Sequence, residues 1–224
     1  MKTVAIHQPN YLPWLGFFDK VAQADTFVIF DDIQLPMGEH HYETRATIKG
    51  ARAILELNIP IKGRNQDLLI KDAVFANRTW IRKHLRSIEC SYGNTKYFND
   101  YFPQIETIYN SGLTNLAGLN TALIRLITSF LDIKTEIVRS SELGIKTQGE
   151  QKILDIIKKL GGNRYISGAG AGSKRYIVPE HFKETGIELV WQDFKHPVYQ
   201  QTRGEFVPGL SAIDYLMNTG GKKL

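Results

Sequence analysis

Short runs in which every residue is apolar alternate along this chain with longer stretches whose apolar residues recur every three or four positions. That rhythm predicts strands and helices in turn. TVAI (3–6) is β-branched and continuously apolar, as suits a parallel-sheet strand covered on both faces. LGFFDKVAQAD (15–25) has helical spacing and TFVIF (26–30) is a second buried strand, so the opening segment spells a βαβ unit. After Asp31 the chain turns polar and irregular through LPMGEHHYETR. ATIKG and ARAILELNIPI then alternate on either side of Gly50, which predicts a β-hairpin. From about 77 to 131 the spacing is helical in three pieces punctuated by Gly93 and Gly112, with Pro103 expected to kink or divide the middle piece.

The earlier rhythm then returns. TEIVRSS (135–141) is a third core strand, GEQKILDIIKKLGG (149–162) an amphipathic helix stopped by Gly161 and Gly162, and RYISG (164–168) a fourth strand. A short helix follows Pro179, IELVWQDF is a fifth strand, and LSAIDYLMNTGG closes the chain as a helix. The predicted fold class is therefore α/β: a mainly parallel sheet flanked by helices, with an inserted β-hairpin and a helical middle segment at about 77–131, all in one domain spanning 1–224. In such sheets a ligand lies beyond the carboxyl ends of the strands.

Composition changes this picture little. A chain of 224 residues with 42% apolar and 23% charged residues can bury a core and is expected to fold throughout. A net charge of +5 favours phosphates and nucleotides, but Lys and Arg are scattered among carboxylates and the nearest thing to a basic block is the terminal KKL, so no nucleic-acid platform is expected. The single cysteine, Cys90, excludes an internal disulfide and a cysteine zinc cluster, and should pack in its helix like a small hydrophobe. The start MKTVAIHQP is too short an apolar stretch for a signal peptide, and no window approaches the roughly 18 apolar residues of a membrane span, so a cytoplasmic protein is expected.

Four stretches could carry chemistry. His7 ends the first strand, and QPNYLP braces it with two prolines that fix φ and remove backbone donors; Gln8 offers an amide, and Tyr11 and Trp14 flat faces with polar tips. FDDIQ delivers Asp31, Asp32 and Gln34 to the same edge, where a carboxylate could orient an amine or hydroxyl or else tie down a turn. His40 and His41 lack a spaced third ligand and are expected as exposed loop residues; no metal site is expected, and Arg45 could fork onto a phosphate or form a surface ion pair. YISGAGAGSKRY (165–176) follows an apolar strand with glycines 168, 170 and 172, whose amides could turn toward an anion beside Lys174; it is neither a P-loop nor a dinucleotide fingerprint, and reads otherwise as a flexible turn. DFKHPVYQQTRGEF (193–206) repeats the opening device, with His196 locked against Pro197 and Tyr199, Gln200 and Gln201 nearby. A histidine titrating near neutrality is a natural general base, and either histidine could instead be structural.

The string HQPNYLPWLGFFDKVAQAD, then DDIQ with Arg45, then YISGAGAGSKRYI, then GIELVWQDFKHPVYQ and EFVPGLSAIDYLMNTGG, resembles the WbqC-like family of bacteria over almost the whole chain. The family is similar to proteins of O-antigen and other surface-polysaccharide loci, for which a glycyl or related acyl transfer onto a sugar has been proposed. The resemblance carries over to His7, Gln8, Tyr11, Pro13, Trp14, Gly16, Asp31, Gln34, Arg45, Ser167, Gly168, Lys174, Tyr176, His196, Pro197, Tyr199 and Gln201. It implies a transferase moving a small acyl or aminoacyl group onto an amino sugar or nucleotide-linked sugar, with His7, Asp31 and His196 catalytic and the other polar and aromatic residues of that set, with Gly168, binding a phosphate-bearing small molecule. It names no cofactor and fixes no oligomeric state. Two other readings stand beside it. One is a nucleotidyl-transfer enzyme, although the expected HxGH is here His7, Gln8, Pro9 and Asn10; the other is a non-catalytic scaffold of a polysaccharide assembly complex.

Overall fold

The computed structural model describes residues 1–37 and 41–221. Five parallel strands form one sheet: β1 (Thr3–His7), β2 (Thr26–Ile29), β5 (Glu136–Arg139), β6 (Arg164–Ser167) and β7 (Glu188–Trp191), in the order β5-β2-β1-β6-β7. β3 (Arg45–Lys49) and β4 (Ile54–Asn58) pair antiparallel as a separate hairpin, with Arg45 opposite Asn58 and Lys49 opposite Ile54. The helices are α1 (Leu15–Ala22), α2 (Thr79–Tyr92), α3 (Phe98–Asn110), α4 (Leu116–Phe130), α5 (Gly149–Lys159), α6 (Ala171–Tyr176), α7 (Pro179–Glu184) and α8 (Ala212–Thr219).

The continuous apolar runs of the strands are explained by two cores. Successive side chains on a strand point to opposite faces. Ala5, Phe27, Ile29 and Ile166 meet α1, α4 and α8 on one face, while Val4, Ile6, Val28 and Tyr165 meet α5 and α7 on the other. His7 shares the parity of Ala5 and so faces α1, with its ring 5.1 Å from that of Phe17. The chain builds outward from β1 to β2 and β5, then crosses to β6 on the other flank of β1. The direction of winding therefore reverses between β1 and β6, and a crevice opens where two neighbouring connections leave in opposite senses.

Three local expectations are corrected. Pro103 does not divide its helix: α3 runs unbroken from Phe98 to Asn110. The proline sits near enough to the helix start that it removes one backbone donor without ending the ladder. Cys90 lies on α2 but on its exposed side, so it does not pack as a core residue. His41 is 4% exposed and turns inward, its carbonyl accepting from the amides of Thr44 and Arg45 at the entrance to β3. His40 and the terminal KKL lie outside the described residues.

α2 also buries His84, 6% exposed, whose Nδ1 lies 2.8 Å from Tyr11 Oη. Burial lowers its pKa to about 4 despite a hydrogen bond to the Asn58 backbone. Between pH 6.5 and 4 the unfolded chain takes up a proton that the folded one refuses, so stability falls with falling pH by about 1.4 kcal/mol per pH unit in that window. Urea unfolding at pH 7, 6, 5 and 4.5 should show this contribution as a shallower slope in His84→Gln than in the native protein, the buried His7 keeping its own share; equal slopes would mean that the fold does not lower the pKa of His84.

Candidate functional site

The loop between β1 and α1 is held from several sides. Pro9 and Glu43 carbonyls each accept from Asn120 Nδ2 at 2.8 Å, the Tyr11 amide donates to the Tyr42 carbonyl at 2.7 Å, and the Pro13 carbonyl accepts from the Ala212 amide at 2.7 Å. Leu12, between these anchors, has φ 41°, a left-handed conformation that costs a non-glycine residue about 1 kcal/mol or more. The strain persists because every neighbour is fixed. Trp14 then folds its indole back over Gly16, where a Cβ would lie 2.3 Å from the ring, so only glycine admits that pose. The indole is 38% exposed and meets Phe194 edge-on at 5.3 Å.

At the crevice, His7 Nδ1 lies 2.9 Å from the Gln8 carbonyl. A carbonyl can only accept, so Nδ1 carries the proton and Nε2 the lone pair. Burial first, and the nearby Lys20 charge second, lower the pKa of His7 to about 3. The ring is a neutral acceptor at physiological pH, not a base that titrates there.

Lys20 was not singled out from the sequence, yet it is the most unusual side chain at this place. It is 2% exposed, its Nζ donates to the Ile6 carbonyl at 3.3 Å, and burial lowers its pKa to about 7. Among the described residues no carboxylate pairs with it. A β-carbon placed on Gly168 would lie 4.0 Å from Lys20 Nζ and 3.6 Å from Ser173 Oγ, so the turn after β6, the amine and the hydroxyl share one small space. The signal was present in the sequence: Lys20 is three residues from Phe17 and four from Ala24, on the sheet-facing stripe of α1, where a cation needs a reason. Ser167, 1% exposed, ends β6 but shares the parity of Tyr165, so its side chain faces the α5 and α7 side of the sheet rather than Lys20. The glycine-rich segment is not a loop throughout, because its second half is the six-residue helix α6.

The remaining sequence candidates fall in three other places. Asp31 is fully buried and accepts from Arg139 Nε at 2.7 Å, the Ser141 amide at 3.0 Å and Ser141 Oγ at 3.0 Å, while Asp32 pairs with Lys152 Nζ at 2.6 Å; together they tie the exit of β2 to β5 and α5. No hydrogen bond or ion pair among the described residues joins either carboxylate to His7 or Lys20. Arg45 pairs across the hairpin with Glu56 at 3.4 Å, and Gln34 is exposed where its backbone bridges to Leu69. Lys174 lies over the Trp191 ring at 5.9 Å, and Tyr176 is 69% exposed on the outer side of α6.

His196 lies next to the start of α1 through a chain of rings, Trp14 to Phe194 and Phe194 to His196 at 5.8 Å. It repeats the design of His7, with Nδ1 2.9 Å from the Pro197 carbonyl, and its Nε2 is buried with no hydrogen-bond partner among the described residues. Gln192 Nε2 anchors the same segment to α1 by donating to the Gly16 carbonyl at 2.7 Å and Asp19 Oδ2 at 2.6 Å. Tyr199 and Gln201 turn the other way, into a knot with α8 and β3. Tyr199 and Tyr92 both donate to Asp214, and Gln201 Oε1 accepts from Lys49 at 2.8 Å. Tyr11, 1% exposed, is likewise a core anchor, bonded to His84 and in close contact with Tyr109.

An uncharacterized protein of Mycobacterium tuberculosis, Rv1507c, is 30% identical over 226 residues, covering 99% of this chain and 96% of its own length. No solved structure matches the chain. The WbqC-like protein family matches residues 8–224, which span the braced loop, the β6 turn, the His196 segment and α8, and the chain belongs to that family.

Proposed function

We propose that the protein is a transferase of surface-polysaccharide assembly that moves a small acyl or aminoacyl group onto an amino sugar, presented in the cytoplasm as a nucleotide-linked precursor whose phosphate sits at the crevice between β1 and β6. The observation that carries this reading is Lys20: a buried amine without a carboxylate partner among the described residues, beside the β6 turn, at the place where such sheets bind ligands. Ser173 Oγ and the Gly168 turn complete a cradle for phosphate oxygens. His7 Nε2, neutral, accepts a hydrogen bond from the sugar or nucleotide. The exposed indole of Trp14 offers its face to a ring. His196 receives the proton of the attacking amine on Nε2 as the amine nitrogen bonds to the carbonyl carbon of an activated acyl donor and the donor's leaving group departs with its electron pair.

The test is incubation of the purified protein with UDP- or dTDP-amino sugars and activated acyl or aminoacyl donors, followed by mass measurement. A gain of one acyl mass, lost in Lys20→Met and reduced at least about 100-fold in His196→Ala, is expected. No gain with any pair from folded protein counts against the reading. A nucleotidyl-transfer enzyme is the second reading, favoured by the histidine at the end of the first strand beside the point where winding reverses. It predicts pyrophosphate release from a nucleoside triphosphate, abolished by His7→Ala.

A further inference from the structure

The segment from Asp193 to Leu210 joins β7 to α8 without a helix or strand, and among the described residues it makes no backbone-to-backbone hydrogen bond. Its two ends are fixed. Gln192 is tied to α1 through Gly16 and Asp19, while the Ser211 amide donates to the Thr47 carbonyl at 2.9 Å and the Ala212 amide to the Pro13 carbonyl at 2.7 Å. Irregular connections of this length are uncommon in a packed domain and characteristically serve as lids or binding loops. Gly209, at φ 75° with open space where a β-carbon would stand, supplies a pivot beside the second anchor.

His196 is shut in by this segment itself. The rings around it are Phe206 at 5.6 Å, Phe194 at 5.8 Å and, nearly parallel to it, Tyr199 at 6.3 Å, and all three belong to the segment. The Pro197 carbonyl accepts from Nδ1, so Nε2 holds the lone pair, and that atom is buried without a hydrogen-bond partner among the described residues. Arg203 Nη1, on the same segment, is buried unpaired as well. Such groups are rare, and they cost free energy that water returns once they are uncovered. Against this cost stand a few ties to the body of the protein. Tyr199 Oη donates to Asp214 Oδ2 at 2.7 Å, Lys49 Nζ donates to Gln201 Oε1 at 2.8 Å and to the Glu205 carbonyl, and Thr202 Oγ1 donates to Asn218 Oδ1 at 2.7 Å. Gln201 and Val207 exchange two hydrogen bonds at 2.9 Å, which fold the segment upon itself so that it can move as one piece.

The geometry points to residues 193–207 as a cap that lifts from the body of the protein to uncover His196 Nε2, with the Tyr199–Asp214 and Lys49–Gln201 hydrogen bonds as its latch. A ring nitrogen with no open surface cannot meet a substrate atom, so opening precedes any proton transfer at this histidine. The place of the cap in acyl transfer rests on the reading of His196 as the base; the opening itself does not.

The experiment is timed modification of the full-length protein with diethyl pyrocarbonate, which carbethoxylates an unprotonated imidazole nitrogen that it can reach. Peptide masses report each histidine, and N-acetylhistidine serves as the open standard. His84, 6% exposed and bonded to Tyr11, reports global unfolding. His196 should react at least about tenfold more slowly than the standard, yet to completion while His84 stays unmodified. Tyr199→Phe, which keeps the ring and removes the bond to Asp214, should speed the reaction at His196 at least about fivefold relative to His84. Lys49→Met cuts the other tie from the body side and should act in the same direction, which keeps the test open where Tyr199→Phe does not fold. Reaction of His196 only in step with His84, reaction as fast as the standard, or a rate that neither variant changes overturns the cap. No substrate enters the measurement, so failure of the cap and failure of the transferase reading are told apart.

Discussion

Lys20→Met should make the protein more stable and, if the proposed function holds, weaken its grip on a phosphate-bearing substrate. Methionine matches the apolar stem of lysine and brings no charge into the space between α1 and β1. In the native chain Lys20 is 2% exposed and its pKa is down to about 7, whereas an unfolded lysine keeps its proton to about 10.4. Between those values the unfolded chain holds a proton that the folded chain has released, so stability rises with pH across this window. Below pH 7 both states are charged and the penalty is complete, about 3–5 kcal/mol; above about pH 10.5 it is gone. The methionine variant should therefore gain most stability at pH 7 and below, and the two unfolding curves should converge at alkaline pH.

Binding should move the other way. A charge-assisted hydrogen bond to a phosphate oxygen contributes about 1.5–3 kcal/mol, so the variant should bind UDP-linked sugars about 10- to 100-fold more weakly by calorimetry. Native binding should also weaken as pH rises above 7 and the amine loses its proton. A purely structural lysine predicts a different pair of results: a variant that is less stable, with affinity unchanged. Either result would remove Lys20 from the site.

The sheet was legible in the sequence because parallel strands buried on both faces leave unbroken apolar runs, as at Thr3–Ile6 and Thr26–Phe30. The hairpin was legible because alternation on both sides of Gly50 has few other meanings. What local pattern does not carry is the partner of a polar residue. Asp31 and Lys20 are both polar residues beside apolar runs, but Asp31 meets an arginine and two serines more than a hundred residues later, and Lys20 meets no counter-charge among the described residues. The same limit applies to Tyr11 and Tyr199. Their rings stand in loops that look open in sequence, and only tertiary packing turns their hydroxyls to His84 and Asp214. The two proline-braced histidines were legible for a local reason. A ring nitrogen bonded to the carbonyl of the next residue needs only the stiff dipeptide beside it.

Asp31→Ala should unfold the protein more readily rather than only slow its chemistry. The carboxylate is fully buried and takes Arg139 through both Nε at 2.7 Å and Nη2 at 2.5 Å, along with the amide and hydroxyl of Ser141. Removing it leaves the Ser141 amide unpaired and Arg139, 27% exposed, with Glu142 at 3.9 Å as its remaining carboxylate among the described residues. Breaking one partner from a buried pair costs about 3–5 kcal/mol, and the partial exposure of Arg139 places this site at about 2–4 kcal/mol. Arg139→Met alone should cost less, because the serine contacts to Asp31 survive, and the double variant should recover part of the sum, since no uncompensated guanidinium remains. Urea unfolding of the four proteins measures that coupling directly. A carboxylate that orients the attacking amine would behave differently: Asp31→Ala would keep its unfolding midpoint while acyl transfer fell by orders of magnitude, and no coupling to Arg139 would appear. The contacts favour the first outcome, because Arg139, Ser140 and Ser141 already occupy the oxygens that an amine would need.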